Sequence, residues 1–259
     1  DWLDTHTFPE EAKYQDPEYP KTAYEIFLDD LLHSATTRAC VFGTCHPDAT
    51  LWLMEQMEVA GLAGYVGKVN MDRNSPEGLC EESAKASAEA TENWILAAKN
   101  LSNVRPILTP RFIPTCSDEL MELLSGLQKQ YDLPMQSHLS ENLSEIDWVK
   151  ELQPKASCYG DAYRIHGLFG GDCPTIMAHC VYSGEEEIRM MKEQGVFIAH
   201  CPESNANLSS GIAPARKYME LGMQMGLGTD VAAGSSISLF RAMAKAIQCS
   251  KLPWRLVDQ

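Results

Sequence analysis

Long apolar runs, paired cysteines and surplus positive charge are all missing from this chain, and each absence removes a class of function. No hydrophobic stretch approaches the roughly 20 residues that a membrane-crossing helix needs, and Asp1-Trp2-Leu3-Asp4 offers neither a basic region nor an apolar signal core. Nine cysteines are scattered singly, with no C-x-x-C pair. That pattern fits reduced thiols in a cytoplasmic protein better than a disulfide framework. Cys40, Cys180 and Cys201 fall in apolar strand-like stretches, where cysteine is expected as a small buried hydrophobe. Lys and Arg number 21 against 36 Asp and Glu, for a formal charge of −15. No basic stripe is left to neutralise phosphates, so neither nucleic acid nor an anionic membrane is the expected partner. A small-molecule substrate is.

What is present is a βα alternation. The chain has 259 residues and 44% hydrophobic content, enough for one large α/β barrel. Leu28, Leu31 and Leu32 follow helical spacing before the β-like run Thr37–Thr44, and a helix through Leu51, Met54 and Met57 is capped by Gly61. Tyr65–Val69 is the next strand, the Ala- and Glu-rich segment from Glu81 to Lys99 the longest helix, and Arg105–Phe112 the third strand. Ser117 is the expected N-cap of a helix carrying Leu120, Leu123, Leu124 and Leu127. Ser183-Gly184-Glu185-Glu186 has the form of a capping box, and a short helix is expected near Ala215 to Leu221. In all there are seven strand-like segments at the spacing of right-handed βαβ crossovers, with no internal linker. The expected fold is therefore a single (β/α)8 TIM-type barrel domain over 1–259, holding about seven of its eight units.

Four polar residues stand at the ends of apolar runs in the second half: His138, Glu141, His179 and Asp230. Parallel strands buried on both faces deliver such residues to one rim, where barrel enzymes keep their chemistry. A single histidine at a strand end is more often structural than a ligand; the order of imidazole, carboxylate, imidazole and carboxylate on one rim is what carries weight. Imidazole and carboxylate together suit zinc or iron, and a metal there lowers the pKa of bound water towards about 7. Glu141 is either a proton carrier beside such a water or a helix-start carboxylate for a segment beginning near Ser144.

The arrangement resembles the amidohydrolase superfamily, and the surrounding words resemble the guanine deaminases within it. Those words are Asp1-Trp2-Leu3, Thr7-Phe8-Pro9-Glu10-Glu11, Gly67-Lys68-Val69-Asn70-Met71-Asp72, Thr109-Pro110-Arg111-Phe112, Gln136-Ser137-His138-Leu139-Ser140-Glu141-Asn142, Met177-Ala178-His179, His200-Cys201-Pro202-Glu203-Ser204-Asn205 and Gly228-Thr229-Asp230. The His and Asp words are shared across the superfamily; Thr-Phe-Pro-x-Glu, Gly-Lys-Val-x-Met-Asp and Thr-Pro-Arg-Phe are more particular. The resemblance implies one Zn2+ per subunit held by His138 and Asp230, a proton shuttle at Glu141 and a water-orienting imidazole at His179. It further implies Arg111 and Phe112 as contacts to a guanine base, whose site also includes His138, Glu141 and Asp230. The implied reaction is hydrolytic deamination of guanine to xanthine in purine catabolism, by a protein that is a homodimer at full length. His200 is given a structural role on the rim, and His6, His33, His46 and His166 have no motif context.

One departure from the family pattern matters. Amidohydrolases carry a His-x-His pair at the end of the first barrel strand, and no His-x-His occurs here; Asp4-Thr5-His6 imitates its start, but position 8 is Phe. The expectation is an internal fragment lacking the first strand and the flanking β-sandwich, with the two further His ligands upstream of residue 1. For these 259 residues alone, weak metal affinity and no useful turnover are expected. Two alternatives stay open: a sister amidohydrolase acting on another amino- or chloro-substituted heterocycle (adenosine-type, cytosine or triazine), and a catalytically inert barrel.

Overall fold

A computed structural model of the chain describes residues 3–256, with side chains described for residues 5–253. Asp1 and Trp2, which open the first of the resembling words, lie outside the described residues. The chain divides into two compact units, Asp1–Pro134 and Met135–Gln259.

In the first unit, the three predicted strand regions yield five strands: β1 (Arg38–Phe42), β2 (Ala63–Gly67), β3 (Val69–Asn70), β4 (Val104–Pro106) and β5 (Thr109–Pro110). All pairings are parallel, in the orders β1-β2-β4 and β3-β5. Lys68 and the pair Ile107-Leu108 interrupt two of the predicted runs, so each is split in two. Helices Tyr19–Leu32, Pro47–Val59, Ala84–Ala97 and Asp118–Tyr131 accompany the strands. Of the predicted stripe on the helix Pro47–Val59, Met54 and Met57 are wholly buried, Leu51 is only half-buried, and Leu53 joins the core instead. That helix ends as expected: Gly61 takes φ +74°, and Leu62 N–H reaches back to the Met57 carbonyl. Ser117 is the N-cap of the fourth helix, its Oγ accepting the Leu120 N–H at 3.1 Å.

The second unit holds one four-stranded parallel sheet, β6 (Met135–Leu139), β7 (Thr175–His179), β8 (Phe197–His200) and β9 (Met225–Leu227), in sequential order. Its register pairs Leu139 with His179 and His200 with Leu227. Because the strands are parallel, their carboxyl ends share one edge of the sheet, and the residues that follow them emerge together. Helices Leu143–Leu152, Tyr159–Arg164, Glu185–Gln194, Pro202–Asn207, Ala215–Glu220 and Leu239–Leu256 complete the unit. Among the described residues no helix is long and apolar enough to cross a membrane.

Four expectations need correction. Cys40 is exposed; among the described residues β1 pairs with β2 alone. Glu81 does not start the long helix, which begins at Ala84 with Ser83 as its N-cap. Instead its carboxylate takes an ion pair from the fully buried Lys68 and hydrogen bonds from Met71 N–H and Ser87 Oγ. Ser183 does not cap the helix Glu185–Gln194; Gly184 is the N-cap, with no side-chain cap bond. Asp230 is not the last residue of its strand but lies three residues beyond the end of β9.

Candidate active site

His138 is the penultimate residue of β6 and His179 the last of β7, and their rings stack with centroids 5.3 Å apart and planes inclined by 19°. Glu141, just past β6, brings Oε2 to 3.7 Å from His179 Nε2. Asp230 arrives from the loop after β9, and ligand atoms of His179, Cys201 and Asp230 all lie within 4.8 Å of one another. The four residues singled out in the second half of the sequence therefore meet at one end of the sheet. His179 and Asp230 both sit at positive φ, +73° and +49°, a conformation that non-glycine residues adopt at some cost and that clusters at functional sites.

The surroundings fix these groups one by one. The His179 Nδ1–H donates to Asn205 Oδ1 at 2.8 Å, which turns Nε2 towards Glu141. Ser210 Oγ donates to Glu141 Oε1 at 2.8 Å. The Glu141 N–H donates to Glu145 Oε2 at 3.2 Å, and the Tyr159 hydroxyl donates to the other oxygen of the same carboxyl at 2.6 Å. Glu145 is 7% exposed; burial, followed by the neighbouring Glu141 charge, pushes its carboxyl up to about 7. Two tyrosine hydroxyls hold the rim backbone, Tyr163 donating to the His138 carbonyl at 2.9 Å and Tyr218 to the Cys180 carbonyl at 2.6 Å. The helix-start role considered for Glu141 belongs to Asn142, whose Oδ1 accepts the Glu145 N–H.

His200, the last residue of β8, is buried, and burial pushes its imidazole down to about 4. Among the described residues its Nδ1 and the Asn205 Nδ2 have no hydrogen-bond partner. Two imidazoles, a carboxylate and a thiol beside such orphaned buried atoms form a donor set that fits a zinc-type ion. Cys201 was legible only as a buried hydrophobe. Its thiol is pushed well above its usual value, by burial first and then by Asp230. Close approach here depends on Gly228, where a Cβ would stand 2.6 Å from Cys201 Sγ. Asn205 carried a weak signal, as the last residue of the His-Cys-Pro-Glu-Ser-Asn word; Ser210 and Glu145 carried none.

In the first unit, Arg111 follows β5, its N–H donating to the Asn70 carbonyl. It is not a surface cation. Its side chain is 17% exposed, Nη1 lies 2.9 Å from Glu11 Oε2, and its guanidinium sits 5.1 Å over the Phe8 ring. Phe112, next in sequence, is half-buried.

The Amidohydrolase family profile matches residues 1–258. This chain belongs to the amidohydrolase family. Its parallel-stranded α/β fold is the barrel type of that family. Guanine deaminase from Rattus norvegicus is 40% identical over 254 residues, covering 97% of this chain and 56% of that protein. The Escherichia coli guanine deaminase is 38% identical over 256 residues, covering 97% of this chain and 57% of that protein. This amidohydrolase chain thus spans about half the length of the curated relatives it matches. Among solved structures, guanine deaminase from C. acetobutylicum with guanine bound in its active site is 49% identical, with a TM-score of 0.95 over 98% of this chain and 60% of that one.

Proposed function

We propose that the protein is a guanine deaminase, converting guanine and water to xanthine and ammonia. The observation that carries this reading is the cluster of Glu141, His179 and Asp230 in a chain 49% identical to a guanine deaminase solved with guanine in its site. His138 and Asp230 are read as the metal-holding residues, with His179 and Cys201 beside them. Zinc, the metal favoured by the donor set and the resemblance, supplies a water acidic enough to ionise near neutral pH.

The chain's own residues would then divide the proton work. Glu141, anchored by Ser210 through one oxygen, has its other oxygen towards His179 and can accept a proton from the attacking water and deliver it to the ring nitrogen next to C2. Asp230 assists the first of those transfers. His179, held in one tautomer by Asn205, directs Nε2 at the attacking oxygen. A C–O bond forms at C2, the C2–N bond to the exocyclic amine breaks, and the nitrogen leaves as ammonia. Arg111 would donate to the purine carbonyl while Phe112 offers an apolar face.

All nine cysteines are free, which supports a cytoplasmic setting, and a homodimer is the assembly expected from the resemblance. The test is ammonia release from guanine by the zinc-loaded complete gene product, with xanthine followed by its absorbance. Turnover of another aminopurine, a pyrimidine or a triazine without turnover of guanine would replace this reading with the sister activity. Absence of stoichiometric metal and no activity after zinc addition would favour an inert barrel.

A further inference from the structure

We propose that Glu11, with the Phe8 ring, is the positioning residue for the Arg111 guanidinium, and thereby a determinant of selectivity for purines that carry a carbonyl at C6. The inference rests on Arg111 being the base contact. Three sequence words distinguish this chain within its superfamily, and the structure brings all three to one guanidinium. Thr7-Phe8-Pro9-Glu10-Glu11 supplies the carboxylate at 2.9 Å and the ring at 5.1 Å. Gly67-Lys68-Val69-Asn70-Met71-Asp72 supplies Met71, whose sulfur lies 3.7 Å from Nη1. Thr109-Pro110-Arg111-Phe112 supplies the guanidinium itself.

Phe8 and Glu11 stand three residues apart on the helix Phe8–Ala12, a spacing that puts both on one face. One therefore supports the plane of the guanidinium while the other grips its edge. Phe8 is in turn seated against the buried cluster of Cys45, Val69, Met71 and Leu79, so the bracket is anchored to the core of its unit. At 17% and 14% exposure the ion pair is largely shielded from water, which makes its geometry stiff in a way a surface pair is not. A guanidinium carries five N–H donors in a rigid fork, so gripping one nitrogen sets the direction of the others.

The test uses steady-state kinetics on the zinc-loaded complete gene product, with 2-aminopurine, which keeps the C2 amine but lacks the C6 carbonyl, as a competitive inhibitor. E11Q is expected to raise KM for guanine about tenfold, with kcat changed by no more than about twofold and Ki for 2-aminopurine unchanged. E11D should recover most of the loss, and E11Q should add nothing in an R111M background. If E11Q does not fold, F8L keeps the charge pair and removes the supporting ring, and it should shift KM in the same selective way. Equal weakening of guanine and 2-aminopurine, or full additivity with R111M, would make the pair merely structural and overturn the proposal. If R111M raises KM for guanine and E11Q does not, this inference alone fails; if R111M leaves KM unchanged, the base-contact reading falls and takes it along.

Discussion

Replacing Glu145 by Gln should reverse the order of stability between variant and parent as pH rises. The Glu145 carboxyl is 7% exposed and is pushed from its ordinary 4.5 up to about 7, chiefly by burial. Because the folded value is raised, the folded state binds the proton more tightly, so the stability it contributes is complete below pH 4.5 and lost as pH rises through about 7. At 1.36 kcal/mol per pH unit that loss is about 3 kcal/mol at pH 8. Gln is neutral throughout and escapes it. It offers a single acceptor oxygen where Glu145 now accepts from both Tyr159 and Glu141, which costs about 1 kcal/mol at any pH. E145Q should therefore be less stable than the parent by about 1 kcal/mol at pH 4.5 and more stable by about 2 kcal/mol at pH 8. Glu187 is also buried and raised, but it is common to both proteins and cancels in the difference. Urea unfolding followed by circular dichroism at several pH values measures this directly. A difference between the two proteins that stays constant from pH 4.5 to 8 would refute the account of Glu145 as a carboxyl kept partly neutral by burial.

Other outcomes follow from single contacts. N205A removes the acceptor of the His179 Nδ1–H and leaves a buried donor unpaired, so under the proposed function kcat for guanine of the zinc-loaded complete gene product should drop about tenfold or more, and an unchanged kcat would show that the ring is oriented by something else. S210A frees one oxygen of Glu141; kcat/KM should fall about tenfold while the melting temperature barely moves, and a large loss of stability instead would assign Ser210 to the scaffold. At Gly234 a Cβ would stand 1.9 Å from the Thr229 carbonyl oxygen, so G234A should displace the Asp230 loop and destabilise the unit by about 1–3 kcal/mol, measurable by urea unfolding.

The parallel strands were readable because burial on both faces writes continuous apolar runs, and all seven predicted regions contain a strand. Their interruptions were not. Lys68 sits inside an apolar run and is wholly buried, which is possible only because Glu81, thirteen residues on, is folded back to meet it. No local pattern announces a partner at that distance, and Glu81 itself reads as one more helix-start acid. The candidate quartet was visible because its members stand at or just beyond strand ends. Two residues beside it were hidden for the converse reason: Ser210 and Glu145 come from a loop and a helix start, where Ser and Glu are commonplace. Arg111 shows how far context changes meaning. Its ion pair spans 100 residues of sequence, and only the fold reveals that a cation beside a proline is a shielded, bracketed group.

Cys180 and Cys201 each lie one residue beyond a strand of the four-stranded sheet, both almost wholly buried, whereas Cys40 lies open on β1. An alkylating reagent can reach Cys40 at once but must wait for the rim to open before it meets the other two. The native sequence thus contains its own clock for breathing of the candidate site. The ratio of labelling rates at Cys201 and Cys40 measures how often that end of the sheet opens, and a ligand that settles there should slow the first without touching the second.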